Sequence, residues 1–165
     1  MGIKKDDFSY PEQKEVTKKW IDVREENPVP AKYYLSTTYI ETLKRHKARH
    51  EAKGNGFGYD IIPDDGIAHA IVVGGMGRES NLVIDFRQTD LTPTTRIKGE
   101  VNRQGWRKMT PREWARLQGY PDNFRIVVAD ASAYKQFGNS VAVPAIQATA
   151  KQLLKTLNDK NILKI

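Results

Sequence analysis

The sequence contains no cysteine among its 165 residues. Disulfide bridges, thiolate metal sites and a thiol nucleophile supplied by these residues are therefore excluded, and the composition fits the reducing cytoplasm. No apolar run approaches the ~18 residues that a membrane-spanning helix needs. The charged start of the chain is not followed by the apolar segment of a secretory signal. We therefore expect a cytoplasmic protein that does not contact a membrane.

Acidic residues are the minority among the charged groups, with 20 Asp and Glu against 27 Lys and Arg, which gives a formal net charge of +7. An excess of this size makes a polyanion a reasonable partner, although an ordinary basic protein is equally consistent with the composition. The length allows one core or slightly more. The sequence has neither internal repeats nor low-complexity segments.

A short helix in the C-terminal half has a complete set of start signals. Thr110 and Glu113 are spaced as a capping box, and Pro111 falls at the first helical position. A helix of about two turns is marginal alone because nucleation is costly. Its apolar residues Trp114 and Leu117, which share one face, must therefore pack on the rest of the protein.

A second helix is predicted to start after Ser36, a good N-cap, and it becomes strongly basic before the Gly-Asn-Gly-Phe-Gly segment at 54–58. Its basic side is either a solvated face or a phosphate-binding face. Phe57 either packs on the core or is held out toward a partner. His46 and His50 are four residues apart, but the sequence places no third ligand nearby, so we predict no metal site.

Two strand-like segments, 67–73 and 81–86, flank the glycine-rich residues 74–80 and predict a hairpin with a long tip. The tip lacks the Lys and Ser/Thr of a phosphate-binding loop and joins strand to strand, so a nucleotide-binding loop is not expected. Residues 124–128 indicate a further short strand.

The two ends of the chain differ in pattern. The first 30 residues favour a partly ordered arm, although apolar residues around Trp20 could form a helical stripe or a docking segment. Residues 143–157 predict a helix with a continuous apolar stripe, and Pro144 is tolerated in its first turn. That stripe needs a partner surface.

Two segments resemble conserved motifs of the DNA cytosine-5 methyltransferases. Residues 107–122 resemble the ninth motif, and Tyr-Lys-Gln-Phe-Gly-Asn-Ser-Val at 134–141 with Pro144 resembles the tenth. Residues 32–78 resemble, more loosely, the variable target recognition domain of that family. The order and separation of the two motifs make coincidence a poor explanation.

Four other motifs of that family are missing: the Phe-x-Gly-x-Gly cofactor loop, the Pro-Cys-Gln nucleophile, the Glu-Asn-Val acid and the Gln-x-Arg-x-Arg segment. The family's reaction needs a thiolate to add to C6 of cytosine before C5 accepts the methyl group. The resemblance therefore implies that this chain alone does not methylate cytosine. We expect the DNA-recognition subunit of a split restriction-modification methyltransferase, paired with a catalytic chain that carries Pro-Cys-Gln. The alternatives are an inactive remnant and a non-enzymatic DNA-binding module.

The fold implied by the resemblance is α+β: a small, mostly antiparallel β recognition domain with a few helices. A C-terminal helix is expected to dock on a Rossmann-like catalytic domain in the partner chain. The predicted divisions are an N-terminal arm at 1–30, a recognition domain with the ninth motif at 31–132, and the tenth motif with the C-terminal helix at 133–165.

S-adenosylmethionine is the implied cofactor, bound mainly by the partner chain. The resemblance assigns Asn139, Ser140 and Val141 to the edge of the cofactor pocket, and the short polar groups of the first two suit a helix start. No catalytic residue and no metal ligand are predicted in this chain.

Double-stranded DNA is the implied substrate, with the target cytosine swung out of the duplex into the partner's pocket. Phe57 is predicted to wedge beside the gap, with Met76 as the second choice. Arg78 is predicted to contact guanine, and Glu79 is predicted to accept a hydrogen bond from cytosine N4. The complete set of predicted DNA-contacting residues is Lys44, Arg45, Lys47, Arg49, Lys53, Asn55, Phe57, Tyr59, Gly75, Met76, Arg78, Glu79 and Arg107.

Overall fold

A computed structural model describes residues 8–13, 15–74, 77–92 and 99–160. Its helices and strands are α1 (Trp20–Val23), a 3₁₀ turn (Ala31–Tyr33), α2 (Thr37–Glu51), β1 (Leu82–Ile84), β2 (Trp106–Lys108), α3 (Pro111–Leu117), α4 (Asp130–Asn139) and α5 (Val143–Asp159).

The two strands form one antiparallel sheet in which Leu82 lies opposite Lys108 and Ile84 lies opposite Trp106. An isolated parallel bridge joins Ile61 to Leu82 on the other edge of β1. The fold is thus a small α+β arrangement, as predicted. The sheet is antiparallel, as predicted, but within the described ranges it consists of these two short strands, which is less β structure than expected.

Helix α3 has the predicted capping box. The Thr110 hydroxyl accepts a hydrogen bond from the Glu113 amide at 3.1 Å, and the Glu113 carboxylate accepts one from the Thr110 amide at 2.7 Å. Trp114 is buried and meets the ring of Tyr134 on α4 edge to face, with centroids 4.9 Å apart. Its core cluster also contains Val83 of β1. The helix therefore rests on α4 as well as on the predicted strand.

Residues 19–29 are attached to the rest of the protein, whereas a partly ordered arm was expected. Trp20 and Val23 are fully buried in the same core cluster as Trp114. The Trp20 amide donates to the Gly66 carbonyl at 2.8 Å, which anchors α1 to the loop before residue 67. Of the interpretations left open by the sequence, a docking segment at residues 20–23 is the correct one.

The predicted hairpin is wrong, because β1 pairs with β2 and residues 67–73 form no regular strand. The amide side chain of Asn81 takes the place of a neighbouring strand. Its Oδ1 accepts from the His69 amide at 2.8 Å, and its Nδ2 donates to the His69 carbonyl at 3.2 Å. Both backbone groups of His69 are satisfied without a ladder. The short strand predicted at 124–128 is also absent from the structure, and that segment is largely exposed.

The two long helices start as predicted. The Ser36 hydroxyl accepts from the Tyr39 amide at 3.2 Å and caps α2, whose buried face consists of Ile40 and Leu43. Helix α5 has Pro144 in its first turn, and Thr156 is its only buried residue in the described range. Among the described residues, no helix is long and apolar enough to cross a membrane.

Candidate nucleic-acid interface

The basic face of α2 is open to solvent. It comprises Lys44, Arg45, Lys47 and Arg49 of the helix and Lys53 just after it. Within the described chain, one of these five residues has an ion pair: Lys44 Nζ lies 3.1 Å from a carboxylate oxygen of Glu41, one turn earlier. The other cations therefore keep their charge available to an external anion. Lys44, Arg45, Arg49 and Lys53 are exposed, and Lys47 is half-buried.

The glycine-rich segment after α2 holds Phe57 outward. Gly54 has φ +74°, the left-handed conformation that ends helices and favours glycine. Phe57 is 68% exposed and forms a T-shaped pair with the His50 ring, at 5.9 Å between centroids. Asn55 is also exposed. Of the two alternatives for Phe57, the structure therefore shows the ring pointing outward rather than packed on the core.

Tyr59 anchors the far end of this segment. Its ring packs on Trp106 with centroids 5.3 Å apart, and Lys47 Nζ lies 4.9 Å from the same ring. Lys47 also donates to the Tyr59 carbonyl at 3.3 Å. Tyr59 and Lys47 are half-buried supports of the loop, and their exposed parts remain accessible from the basic face.

His46 and His50 stack on the same side of α2, with ring centroids 4.4 Å apart. Desolvation lowers the pKa of His50, and the charges of His46, Arg49 and Lys53 lower it further. His50 is therefore held neutral at ordinary pH. No group of three potential metal-ligating residues occurs among the described residues.

The second predicted recognition loop is only partly described, because Gly75 and Met76 lie outside the described residues. Arg78 is exposed, and its guanidinium carbon lies 5.5 Å from the ring centroid of Tyr134 on α4.

Glu79, in contrast, is buried in an ion pair with Lys108 at 2.8 Å and accepts a hydrogen bond from the Tyr39 hydroxyl at 3.0 Å. Burial and the nearby Glu79 carboxylate raise the pKa of Tyr39 to about 12, so its hydroxyl remains a donor at neutral pH. The carboxylate of Glu79 therefore faces protein groups in this structure, and the cytosine contact predicted for it stays a prediction.

Arg107 is fully buried, with a side-chain exposure of 0%. Its Nη1 and Nη2 donate to both carboxylate oxygens of Glu113, each at 2.8 Å, and its Nη2 and Nε donate to Asp85 at 3.0 and 3.1 Å. Two carboxylates inside the protein therefore occupy the donors of Arg107, and the DNA contact predicted for it stays a prediction.

Asp85 shows how strong this network is. Burial by itself raises the pKa of a carboxyl group, but hydrogen bonds from Arg87 and the charge and hydrogen bonds of Arg107 lower the pKa of Asp85 to about 2. The Arg87 side chain also donates to the carbonyls of Glu25 and Glu26, at 2.9 and 2.7 Å. The network thus connects the N-terminal segment to both strands.

The predicted cofactor residues lie at the end of α4. Asn139 is its last residue, Ser140 follows as the C-cap, and Val141 is 60% exposed. The Ser140 hydroxyl donates to the Phe137 carbonyl at 2.8 Å. The helix start predicted for Asn139 and Ser140 is therefore wrong. Asn139 and Val141 face outward, an arrangement that suits the edge of a site completed by another surface.

Gly138, the residue before them, lies against the segment around Val73. A Cβ atom at Gly138 would lie 2.5 Å from Val73 Cγ2, so only glycine lets the segment around Val73 approach α4 this closely. Sequence patterns did not reveal two contributors to these surfaces: Asn81, which holds the residues before the second loop, and Lys135, which lines the same pocket as Arg78. Neither residue has a periodic or spacing signal.

An open cationic helix beside an exposed aromatic ring is the pattern of a nucleic-acid-binding class of protein. A family model described as C-5 cytosine-specific DNA methylase matches residues 1–155. The chain belongs to this family.

Curated relatives are similar over most of the chain. The Type II methyltransferase M.HpaII of Haemophilus parainfluenzae is 73% identical over 152 residues, which are 92% of this chain and 42% of the relative. The Type II methyltransferase M.NlaX of Neisseria lactamica is 35% identical over 159 residues, covering 94% of this chain and 46% of the relative. The chain thus spans less than half the length of these relatives.

A solved structure supports the fold. The S. pombe Dnmt2 methyltransferase matches with a TM-score of 0.53 and 19% identity, covering 86% of this chain and 43% of that chain.

Proposed function

We propose that this chain is the DNA-recognition part of a restriction-modification DNA (cytosine-5) methyltransferase. In this proposal it supports methyl transfer to C5 of a flipped cytosine only when combined with a catalytic part that carries Pro-Cys-Gln. The observation that carries the proposal is the open basic face of α2, which leads directly to the exposed ring of Phe57. The 73% identity to a Type II methyltransferase supports the reaction class.

The basic face of α2 binds the DNA backbone in this proposal. Phosphate contacts set the register of a protein on a duplex without reading its sequence. Lys44, Arg45, Arg49 and Lys53 are suited to such contacts because their charged ends are exposed. The half-buried Lys47 contributes charge close to the helix and holds the loop that follows.

Phe57 is placed to fill space next to the flipped cytosine. Flipping a base costs a few kcal/mol of lost stacking and pairing, and an aromatic ring beside the gap offsets part of that cost. Asn55 and the adjacent glycines let the backbone approach base edges. Tyr59 supports the segment, and Gly75, Met76 and Arg78 form the second recognition loop. Glu79 and Arg107 act as buried supports of these loops.

The methyl donor of this family is normally S-adenosylmethionine, which supplies the methyl group. We assign Asn139 and Val141 to one edge of its site, because an amide and an apolar side chain are both exposed at the end of α4. Ser140 keeps the turn between α4 and α5 in shape through its hydrogen bond to Phe137. The catalytic part supplies the remaining contacts.

The catalytic part also supplies the nucleophile, since none of the 165 residues is a cysteine. Helix α5 is the surface on which it docks in this proposal. Ile146 is 54% exposed, and Leu153 and Leu154 are each more than two-fifths exposed. A stripe of large apolar side chains on one helix is typical of a protein interface.

Methyl transfer into DNA from labelled S-adenosylmethionine tests the proposal, with this chain alone, a Pro-Cys-Gln catalytic part alone, and the two mixed. We expect incorporation from the mixture only. Full activity from this chain alone would contradict the proposal. DNA binding without activity in any mixture would favour a non-enzymatic DNA-binding module or an inactive remnant.

A pair of variants tests the docking surface. L153D/L154D places two charges on the apolar stripe and should abolish activity of the mixture while leaving DNA binding by this chain unchanged. Gln147→Asp adds a charge at an exposed polar position of the same helix and is the matched control. Equal activity of the two variants would show that α5 is not the docking surface.

A further inference from the structure

A pocket of ≈ 170 Å³ lies between the second recognition loop and α4. Part of its wall is apolar and part is cationic. On the apolar side, Trp114 and Tyr134 belong to the packed core around α3, and Val72 and Val73 are partly exposed at the mouth. The residues that define it are Val72, Val73, Trp114 and Tyr134 on the apolar side, with Arg78 and Lys135 as the cations.

The two cations of this pocket have no anionic partner within the described chain. Arg78 and Lys135 are exposed and form no ion pair there, whereas the neighbouring Lys108 is paired with Glu79 at 2.8 Å. Asp130, an acidic group on the same helix as Lys135, is held by Lys32 at 2.6 Å. Two unpaired positive charges beside an apolar wall attract an anion more strongly than the same charges in open water.

The position of Arg78 is fixed by an aromatic ring. Its guanidinium lies 5.5 Å from the ring centroid of Tyr134, and that ring is held by a hydrogen bond from the Tyr134 hydroxyl to the Met109 carbonyl at 2.5 Å. A guanidinium lying over an aromatic face keeps its N–H groups free at the rim. The side chain therefore loses little further freedom when it binds an anion.

We propose that Arg78 and Lys135 together bind one phosphate of the DNA backbone in this pocket. The inference rests on the proposed function, since it assumes that the chain binds DNA. The proposed site extends the DNA-contacting surface from the recognition loops to α4. In it, Arg78 binds a backbone phosphate instead of reading guanine. A lysine and an arginine converging on one site suit a phosphate, which offers several acceptor oxygens.

The dependence of DNA affinity on salt tests this site. Binding of the full chain to a labelled duplex of mixed sequence is measured by fluorescence anisotropy over a range of salt concentrations. Each phosphate contact contributes about 0.9 to the slope of log affinity against log salt. Lys135→Gln and Arg78→Gln should each lower the slope by up to about that amount. The double variant should lose no more than about 0.9, because both residues act on the same phosphate.

Lys151→Gln is the matched control, since Lys151 is an exposed lysine in the middle of α5, and its slope should equal that of the unchanged chain. Thermal unfolding verifies that all variants are folded. Unchanged slopes for Arg78→Gln and Lys135→Gln, with normal DNA binding by the unchanged chain, would overturn this inference and leave the proposed function intact. No DNA binding by the unchanged chain would instead overturn the proposed function.

Two further outcomes would also overturn the single phosphate site. A slope change of the double variant equal to the sum of two full contacts would mean that the residues bind separate phosphates. Unchanged DNA binding combined with reduced methyl transfer in the mixture would mean that the pocket takes a carboxylate of the catalytic part.

Discussion

Arg107 and Arg49 carry the same guanidinium group in opposite surroundings. Arg107 is fully buried and donates to two carboxylates: Asp85, which directly follows β1, and Glu113 of α3. Arg49 lies on α2, exposed and without an ion pair among the described residues. One arginine holds the fold together, and the other is available to a partner. The net charge of +7 therefore says less about DNA binding than the location of the unpaired cations does.

Replacing Arg107 should cause the largest loss of stability among the changes that test this comparison. Arg107→Met leaves Glu113 buried without its cation and leaves Asp85 paired with Arg87 alone, which should lower the free energy of unfolding by about 3–5 kcal/mol. Urea denaturation measures the change. Arg49→Met is the matched control and should change stability by no more than about 0.5 kcal/mol. Similar losses for the two variants would contradict the division between buried and open charge.

Acid should weaken the buried network next. The pKa of Asp85 is lowered from 3.8 to about 2 in the folded protein. Its ionised form therefore contributes stability above the unfolded pKa, and this contribution is lost as the pH falls through about 2. The expected loss is about 2 kcal/mol. Urea denaturation between pH 5 and pH 2, compared with Asp85→Asn, isolates this contribution. Identical pH dependence of both proteins would contradict it.

The caps of α3 and α2 should differ in stability in the same direction, but by less, because only the α3 cap is joined to the buried network. Thr110→Ala removes the α3 cap and also a hydrogen bond from its hydroxyl to Glu25 at 2.5 Å, so it should cost about 2 kcal/mol. Ser36→Ala removes only the α2 cap and should cost about 1 kcal/mol. Thermal or urea unfolding measures both. A larger loss for Ser36→Ala would mean that the network adds nothing to the α3 cap.

Substitutions on the basic face of α2 should have the smallest effect on stability. Changing Lys44, Arg45, Arg49 and Lys53 together to Gln preserves helix propensity, so unfolding should change by less than about 1 kcal/mol. The slope of DNA affinity against salt should fall by about 0.9 for each phosphate that these side chains no longer neutralise. Anisotropy titrations measure the slope. An unchanged slope would mean that α2 does not touch the DNA backbone.

The sequence predicted the features that depend on neighbouring residues. The capping box of α3, the Ser36 cap and the first-turn Pro144 of α5 each involve groups within a few positions, and all three are as predicted. The exposed apolar stripe of α5 was also visible from spacing alone. Local chemistry decides these features, so sequence patterns are enough to find them.

Features that depend on distant residues were missed. The hairpin prediction was wrong because the Asn81 side chain hydrogen-bonds to the backbone of His69, 12 positions earlier. No strand pattern reveals such a contact. The buried ion pairs of Arg107 were also missed, because one of its partners, Asp85, is 22 positions away and no sequence pattern joins the two. The predicted cofactor and DNA contacts of the exposed loops remain predictions.

The contacts of Glu25 with α3 have a consequence for how the chain acquires its structure. The Glu25 amide donates to Glu113 at 3.1 Å across 88 positions, and Arg116 of α3 donates to the carbonyls of Val23 and Arg24 at 3.1 and 2.8 Å. Residues made early on the ribosome must therefore wait for residues 113–116 to emerge before α1 finds its place. We expect amide hydrogens of α1 and α3 to exchange with solvent together, since neither segment can open while the other stays closed.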